Sequence, residues 1–332
     1  MKREQQLTVW LQGQFPEATF TLAPASADAS FRRYFRATFD DGTTRIIMDA
    51  PPEHEDCQPF LHVGKLFEQA GTHVPHVYAE DLEQGFLLLS DLGNTTYLQA
   101  LTPDNARALY AKATDALIKI QRASNEAELP PYDEALLLRE MRLFPEWYIN
   151  KHLNITLTEA QNAKLESVFA RIVANNLSQP RVYVHRDYHS RNLMVTEPNP
   201  GIIDFQDAVY GPITYDLASL FKDAYIKWEE PQIIDYLIGY WQNARRAGLP
   251  VHEDFGQFYW DFEWMGVQRH IKVLGIFARL CHRDGKDGYL KDMPLVMSYL
   301  RAAAARYVDL KPLFNLLNEL EPPAEAPTGY GF

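Results

Sequence analysis

Up to about residue 92 the apolar positions fall in short runs or alternate with polar ones, which is strand spacing. Residues 19–22, 34–39, 45–48 and 86–89 are such segments, parted by turn chemistry such as Asp40-Asp41-Gly42. They predict an antiparallel sheet. One helix interrupts it over 58–71, where Phe60, Leu61, Leu66 and Phe67 recur at near-helical spacing and Gly71 stands where a helix-terminating glycine belongs.

After residue 93 the period changes. Thr102 precedes Pro103 as a helix cap, and Leu109, Ala113, Ala116, Leu117 and Ile120 keep one face apolar. Further helices are expected at 133–152, 158–177 (after Thr158), 214–228, 232–247 and 257–281, with a last pair over 293–320. Two short β-type pieces, 182–184 and 201–203, lie among them, with a polar run from Asp187 to Asn192 close behind the first. The expected class is α+β: a β-rich N-lobe over 1–92, a helical C-lobe over 93–321, and a loose Pro/Ala/Gly-rich tail over 322–332.

Composition narrows the function. Of 332 residues, 46% are apolar, so disorder is excluded for the bulk. The 44 acids outnumber the 32 bases, for a net charge of −12, and no cluster of Lys and Arg offsets them. Broad nucleic-acid or anionic-membrane binding is therefore not expected. The longest stretch without a charged side chain, 92–103, is far short of the roughly 20 apolar residues that span a bilayer. The N-terminal residues lack the apolar core of a secretory signal, which predicts a cytoplasmic protein. Cys57 and Cys281 are too few for a disulfide framework and read as reduced packing residues.

The chemistry concentrates in His185-Arg186-Asp187-Tyr188-His189-Ser190-Arg191-Asn192, followed by Asp204-Phe205-Gln206. Phosphoryl transfer needs a carboxylate for the attacking hydroxyl's proton and separate oxygen ligands for Mg²⁺ on the nucleotide phosphates. Asp187 can be the first; Asn192 and Asp204 can be the others. Either Asp or Asn alone is an ordinary turn residue. Their order, H-R-D-x-x-x-x-N and then D-F, is the catalytic-loop and metal-binding pattern of protein kinases.

With Tyr215-Asp216-Leu217-Ala218 downstream, the chain from about 20 to 300 resembles the aminoglycoside phosphotransferase and choline kinase superfamily. Residues 47–52, 88–93 and 268–280 are similar to the kinases of bacterial cell-wall recycling that act on N-acetylmuramate and N-acetylglucosamine. The resemblance implies a bilobal protein-kinase-like fold with ATP and Mg²⁺ between the lobes. It also implies phosphorylation of the sugar's anomeric hydroxyl, and an amino-sugar 1-phosphate that feeds peptidoglycan precursor supply. Asp216 would be the buried support of the catalytic loop, along with His185. Backbone groups of Leu89, Ser90, Asp91 and Leu92 would form the hinge that pairs with adenine.

The chain also departs from the kinase pattern. The segment 26–34 that should cover the phosphates has no glycine, and Ser30, Arg32 and Arg33 are the candidates to replace backbone cradling. Met48 stands where kinases carry a strand lysine, and 57–67 offers no acid to partner one. His189 occupies the place of the lysine two residues after the catalytic aspartate and either meets the transferred phosphate or braces the loop. Sugar recognition is expected from Gln206, Asp207, Tyr225, Trp264, Arg269 and His270, with Arg269 facing the lactyl carboxylate of N-acetylmuramate. The partner is a small molecule. Two rival readings stay open: a kinase of another acceptor, such as an aminoglycoside, choline, homoserine or methylthioribose, and a pseudokinase that binds nucleotide without turnover.

Overall fold

The computed structural model describes residues 2–27 and 31–322; Ser30 and the tail from residue 323 lie outside them. The chain forms two compact units. The first comprises residues 1–123 and 191–208, the second 124–190 and 209–332. Strand gives way to helix after Ser90, near the expected boundary, but the first unit also takes in the two helices that follow and returns for 191–208.

The first unit is built on a five-stranded antiparallel sheet in the order β1-β2-β3-β5-β4. Its strands are β1 (Phe20–Ala27), β2 (Arg33–Phe39), β3 (Thr44–Asp49), β4 (Val77–Asp81) and β5 (Phe86–Ser90). Tyr34 lies opposite Met48 and Ile46 opposite Leu89. β1 runs on through Pro24 with a register shift after it, which an edge strand tolerates because its outer side needs no ladder.

Helix α1 (Arg3–Gln14) was not legible in the sequence. Only Leu7 and Leu11 are fully buried, with Trp10 half-buried against Phe86, and they close a core with Ala37, Ile47, Phe86 and Leu88. Strand β4 also escaped notice, because its alternation places Tyr78 and Glu80 outward and leaves a weak apolar pattern. Helix α2 (Gln58–Gln69) ends ahead of Gly71, whose φ of +81° supplies the left-handed turn. Helices α3 (Tyr97–Ala100) and α4 (Ala106–Arg122) complete the unit, with the paired two-residue strands Leu193–Met194 and Gly201–Ile202.

The second unit is helical. α5 (Glu134–Met141) passes into a π-helical stretch, Phe144–His152, where an uninterrupted α-helix was expected. α6 (Glu159–Ser178) starts after Thr158, as expected, and the structure shows a capping box there. Strand β6 (Arg181–Val184) pairs antiparallel with Val209–Pro212. Next come α7 (Tyr215–Phe221), α8 (Glu230–Arg246), α9 (Phe255–Asp284), α10 (Met293–Arg306) and α11 (Lys311–Leu320). α7 stops at Phe221 instead of near 228, because the following loop turns back to hold the catalytic segment.

α9 is the axis of this unit. It is 30 residues long, capped by Asp254, and every residue from Phe262 to Gly275 is buried whatever its polarity. A helix enclosed on all sides must give its charged side chains partners. At Gly275 an added Cβ would stand 2.5 Å from the backbone of Leu143, so only glycine lets the π-helical stretch pack this closely. No helix among the described residues is long and apolar enough to cross a membrane.

Candidate active site

Strand β6 delivers the catalytic segment of the second unit. His185 and Arg186 donate their backbone N–H groups to the two oxygens of Asp216, at 2.7 and 3.0 Å. Asp216 is fully buried in the first turn of α7, and burial pushes its carboxyl up to about 7 even against those two donors. His185, also fully buried, accepts the N–H of Asp187 at Nδ1, 3.2 Å away. Both expected supports therefore act on the loop backbone.

Arg186 has a φ of +76°, in the left-handed region that costs a non-glycine residue about 1–2 kcal/mol. Asp216 and Arg269 hold it there. Arg269 donates to the Arg186 carbonyl at 2.8 Å, and its Nη1 lies 3.5 Å from Oδ1 of Asp187. Further along, Ser190 gives both its N–H (3.0 Å) and its hydroxyl (2.5 Å) to Asp223. The loop is thus clamped at both ends by buried carboxylates, Asp216 at His185 and Arg186 and Asp223 at Ser190, with Asp187 between the clamped residues.

The Asp187 carboxylate is 42% exposed, while its partners are buried. Desolvation acts to raise its pKa, but Lys272, then Arg269, His189 and Arg186, outweigh it and hold the group well below the usual carboxylate range. His189 is 9% exposed and its ring meets Tyr225 edge-on at 5.5 Å. Tyr225 donates its N–H to Asp223.

In the first unit, Asn192 and Asp204 are brought together. The Ile203 N–H donates to the Asn192 carbonyl at 3.1 Å, and Asn192 Nδ2 donates to Asp204 Oδ2 at 3.3 Å. Gln206 Nε2 donates to Asp204 Oδ1 at 2.8 Å, leaving its own Oε1 buried without a hydrogen-bond partner. Asp204, at φ +62°, is another strained non-glycine residue. Phe205 anchors the turn, buried against Phe60 and Phe67 with its ring over Gly64. Asp207 is exposed.

Each oxygen of Asp204 accepts an amide N–H, a carboxylate oxygen can take more than one donor or ligand, and the carbonyl oxygen of the Asn192 side chain is a neutral ligand type. Among the described residues no group of three His, Cys, Asp or Glu gathers as a metal cage. One carboxylate and one amide instead suit Mg²⁺, which keeps waters and takes the rest of its ligands from phosphate.

The other expected positions are placed as follows. Arg33 is committed to Asp49, a fully buried carboxylate that also receives Arg3 at 2.6 Å. Arg32 lies 3.9 Å from Glu55. Met48 is fully buried. Leu89 is inside the sheet, and Ser90 gives its N–H to His76 and accepts from His76 at Oγ, so both are joined to β4 and the turn before it. Asp91 takes a two-pronged bond from Arg36, at 2.5 and 2.9 Å, and the N–H of Gly93. Leu92 is 8% exposed.

Trp264 is enclosed against Trp260 and Tyr307. His270 is enclosed against Tyr299 and the Lys222 carbonyl, and desolvation, with Lys222 nearby, lowers it to about 3. Neither offers a surface to a sugar. Sequence reasoning passed over Glu140, Lys272, Ser190 and Asp223, all engaged with the catalytic segment or its neighbours. The signal for Lys272 was a charge in the middle of a long helix with no polar face.

The phosphotransferase enzyme family profile matches residues 21–252, and the chain belongs to that family. It is 50% identical over 98% of its length, and 98% of the relative's, to an N-acetylmuramate/N-acetylglucosamine kinase of Pseudomonas putida. It is likewise 50% identical, over the full length of both chains, to the N-acetylmuramate/N-acetylglucosamine kinase of Neisseria meningitidis serogroup B. The fold is that of a choline kinase from Streptococcus pneumoniae, with a TM-score of 0.65 and 14% identity, covering 92% of this chain and 100% of the other. An ADP-bound aminoglycoside phosphotransferase superposes with a TM-score of 0.60 at 14% identity, over 89% and 97% of the two chains. The expected bilobal, kinase-like α+β architecture is borne out.

Proposed function

We propose that this protein transfers the γ-phosphoryl group of ATP to the anomeric hydroxyl of N-acetylmuramate and N-acetylglucosamine, releasing ADP and the sugar 1-phosphate. The observation that carries this reading is 50% identity across the whole chain to kinases named for those two sugars. The attacking hydroxyl oxygen forms a bond to the γ-phosphorus, the bond to the bridging oxygen of ADP breaks, and the hydroxyl proton goes to Asp187.

The electrostatics of Asp187 suit that acceptor. Ringed by cations, its carboxylate is a weak base. A hemiacetal hydroxyl is more acidic than an ordinary alcohol, and in a loose transition state the proton leaves late, so orientation matters more than base strength. Asn192 and Asp204 are the proposed Mg²⁺ ligands; the ion, when bound, neutralises charge on the phosphates. Gln206 fixes the Asp204 carboxylate from the other side.

Nucleotide contacts are proposed for the backbone of Asp91 and Leu92, stiffened by the Arg36 pair, and for Arg32. His189 and Tyr225 are proposed on the acceptor side, with Asp207. Arg269 is given to the loop: its guanidinium already holds the Arg186 carbonyl, leaving the lactyl carboxylate to another group.

The test is acceptor-dependent ADP release with both amino sugars, choline and an aminoglycoside. Turnover with the two N-acetylated sugars is the expected result. Turnover only with choline or the aminoglycoside, or nucleotide binding with no turnover at all, would overturn the proposal.

A further inference from the structure

We propose that Glu140 and Lys272, two enclosed side chains, are positioning residues for phosphoryl transfer: Glu140 grips the Arg186 side chain, Lys272 holds Glu140, and the pair sets the field in which Asp187 works. This rests on the reading of Asp187 as the group that takes the acceptor proton.

Glu140 comes from α5 and has every acceptor site occupied. Its Oε1 receives Arg186 Nη2 at 2.5 Å and Lys272 Nζ at 3.0 Å. Its Oε2 receives the Tyr132 hydroxyl and Gln268 Nε2, the latter at 3.3 Å. Lys272, from α9, also donates to the Tyr215 hydroxyl at 3.0 Å. The side chains of Glu140 and Lys272 are 7% and 5% exposed.

Arg186 is thereby held at three points. Its N–H goes to Asp216, its carbonyl receives Arg269, and its guanidinium is held by Glu140. The next residue is Asp187. A left-handed arginine that is fixed at three points aims the following side chain with little freedom.

Stability alone is a weak reason for the cluster. Buried ion pairs are often no better than apolar residues of the same volume, because desolvation offsets their attraction. Arg269 and Lys272, both enclosed, stand with Arg186 beside the half-exposed Asp187 carboxylate. Lys272 is the strongest of the influences that depress Asp187.

The test uses Glu140→Gln and Lys272→Met in the full-length protein, with Asp187→Asn as reference. In Glu140→Gln, kcat with N-acetylglucosamine should fall about 10–100-fold while both KM values stay within about twofold, since a small misplacement at the reacting centre costs that much. In Lys272→Met the acid limb of kcat/KM should move up, toward the ordinary aspartate value near 4. That variant keeps Glu140 paired with Arg186, so it can be read even if Glu140→Gln does not fold. Unchanged kcat in folded Glu140→Gln, or an unmoved acid limb in Lys272→Met, would overturn the proposal. Retained turnover in Asp187→Asn would instead overturn the reading it rests on.

Discussion

Arg269 Nη1 donates to the carbonyl of Arg186 at 2.8 Å and lies 3.5 Å from the Asp187 carboxylate. One guanidinium therefore both braces the backbone of the catalytic loop and lowers the basicity of its aspartate. A side chain in that position serves every acceptor alike. Arg269→Met should reduce kcat/KM for N-acetylmuramate and N-acetylglucosamine by the same factor, within about twofold, because no lost contact distinguishes the sugars. Steady-state kinetics with both sugars is the check. A loss confined to N-acetylmuramate would restore Arg269 as the partner of the lactyl carboxylate.

Asp216 carries a pH signature. Its folded carboxyl is raised to about 7, against an ordinary value of 3.8. The folded protein therefore retains a proton that the unfolded chain releases. This contribution to stability is full below about pH 4 and is lost as pH rises through about 7. Asp216→Asn removes the titration and leaves one loop amide without a carboxylate oxygen, at a cost of about 1–3 kcal/mol. Urea unfolding at pH 5 and pH 8 should show a smaller gap between native and variant proteins at pH 8.

Asp204 is the one carboxylate in the proposed metal pair with Asn192. Titration calorimetry of ADP with and without Mg²⁺ should show the ion strengthening binding in the native protein. In Asp204→Asn that enhancement should shrink by at least about tenfold. An undiminished Mg²⁺ effect would place the metal on other ligands.

Much of the fold was legible because its signals are local. The strands through Phe86–Ser90 alternate or run apolar, and Thr158 announces the start of α6. Gly71 marks the end of α2 in the same way. Spacing likewise singled out Asp187, Asn192 and Asp204 as candidates, and the family resemblance added Asp216. What stayed hidden depends on tertiary placement. α1 buries Leu7 and Leu11 fully and Trp10 in part, so its helix is stabilised by the sheet it covers more than by its own pattern.

The same holds for the side chains of α9. Trp264, Arg269 and His270 look like sugar ligands in a sequence, because aromatic and cationic residues at helical spacing suit a binding face. They are buried because the helix is surrounded on all sides. Conversely, Glu140 and Lys272 lie 132 positions apart, and only the packing of α5 against α9 makes them one ion pair.

Phosphorus NMR of the product made from N-acetylglucosamine and ATP tests most directly whether the anomeric hydroxyl is the phosphoryl acceptor. A sugar 1-phosphate, with its phosphorus coupled to the single anomeric proton, is the predicted result. A resonance coupled to the two C6 methylene protons would identify a 6-phosphate and contradict it.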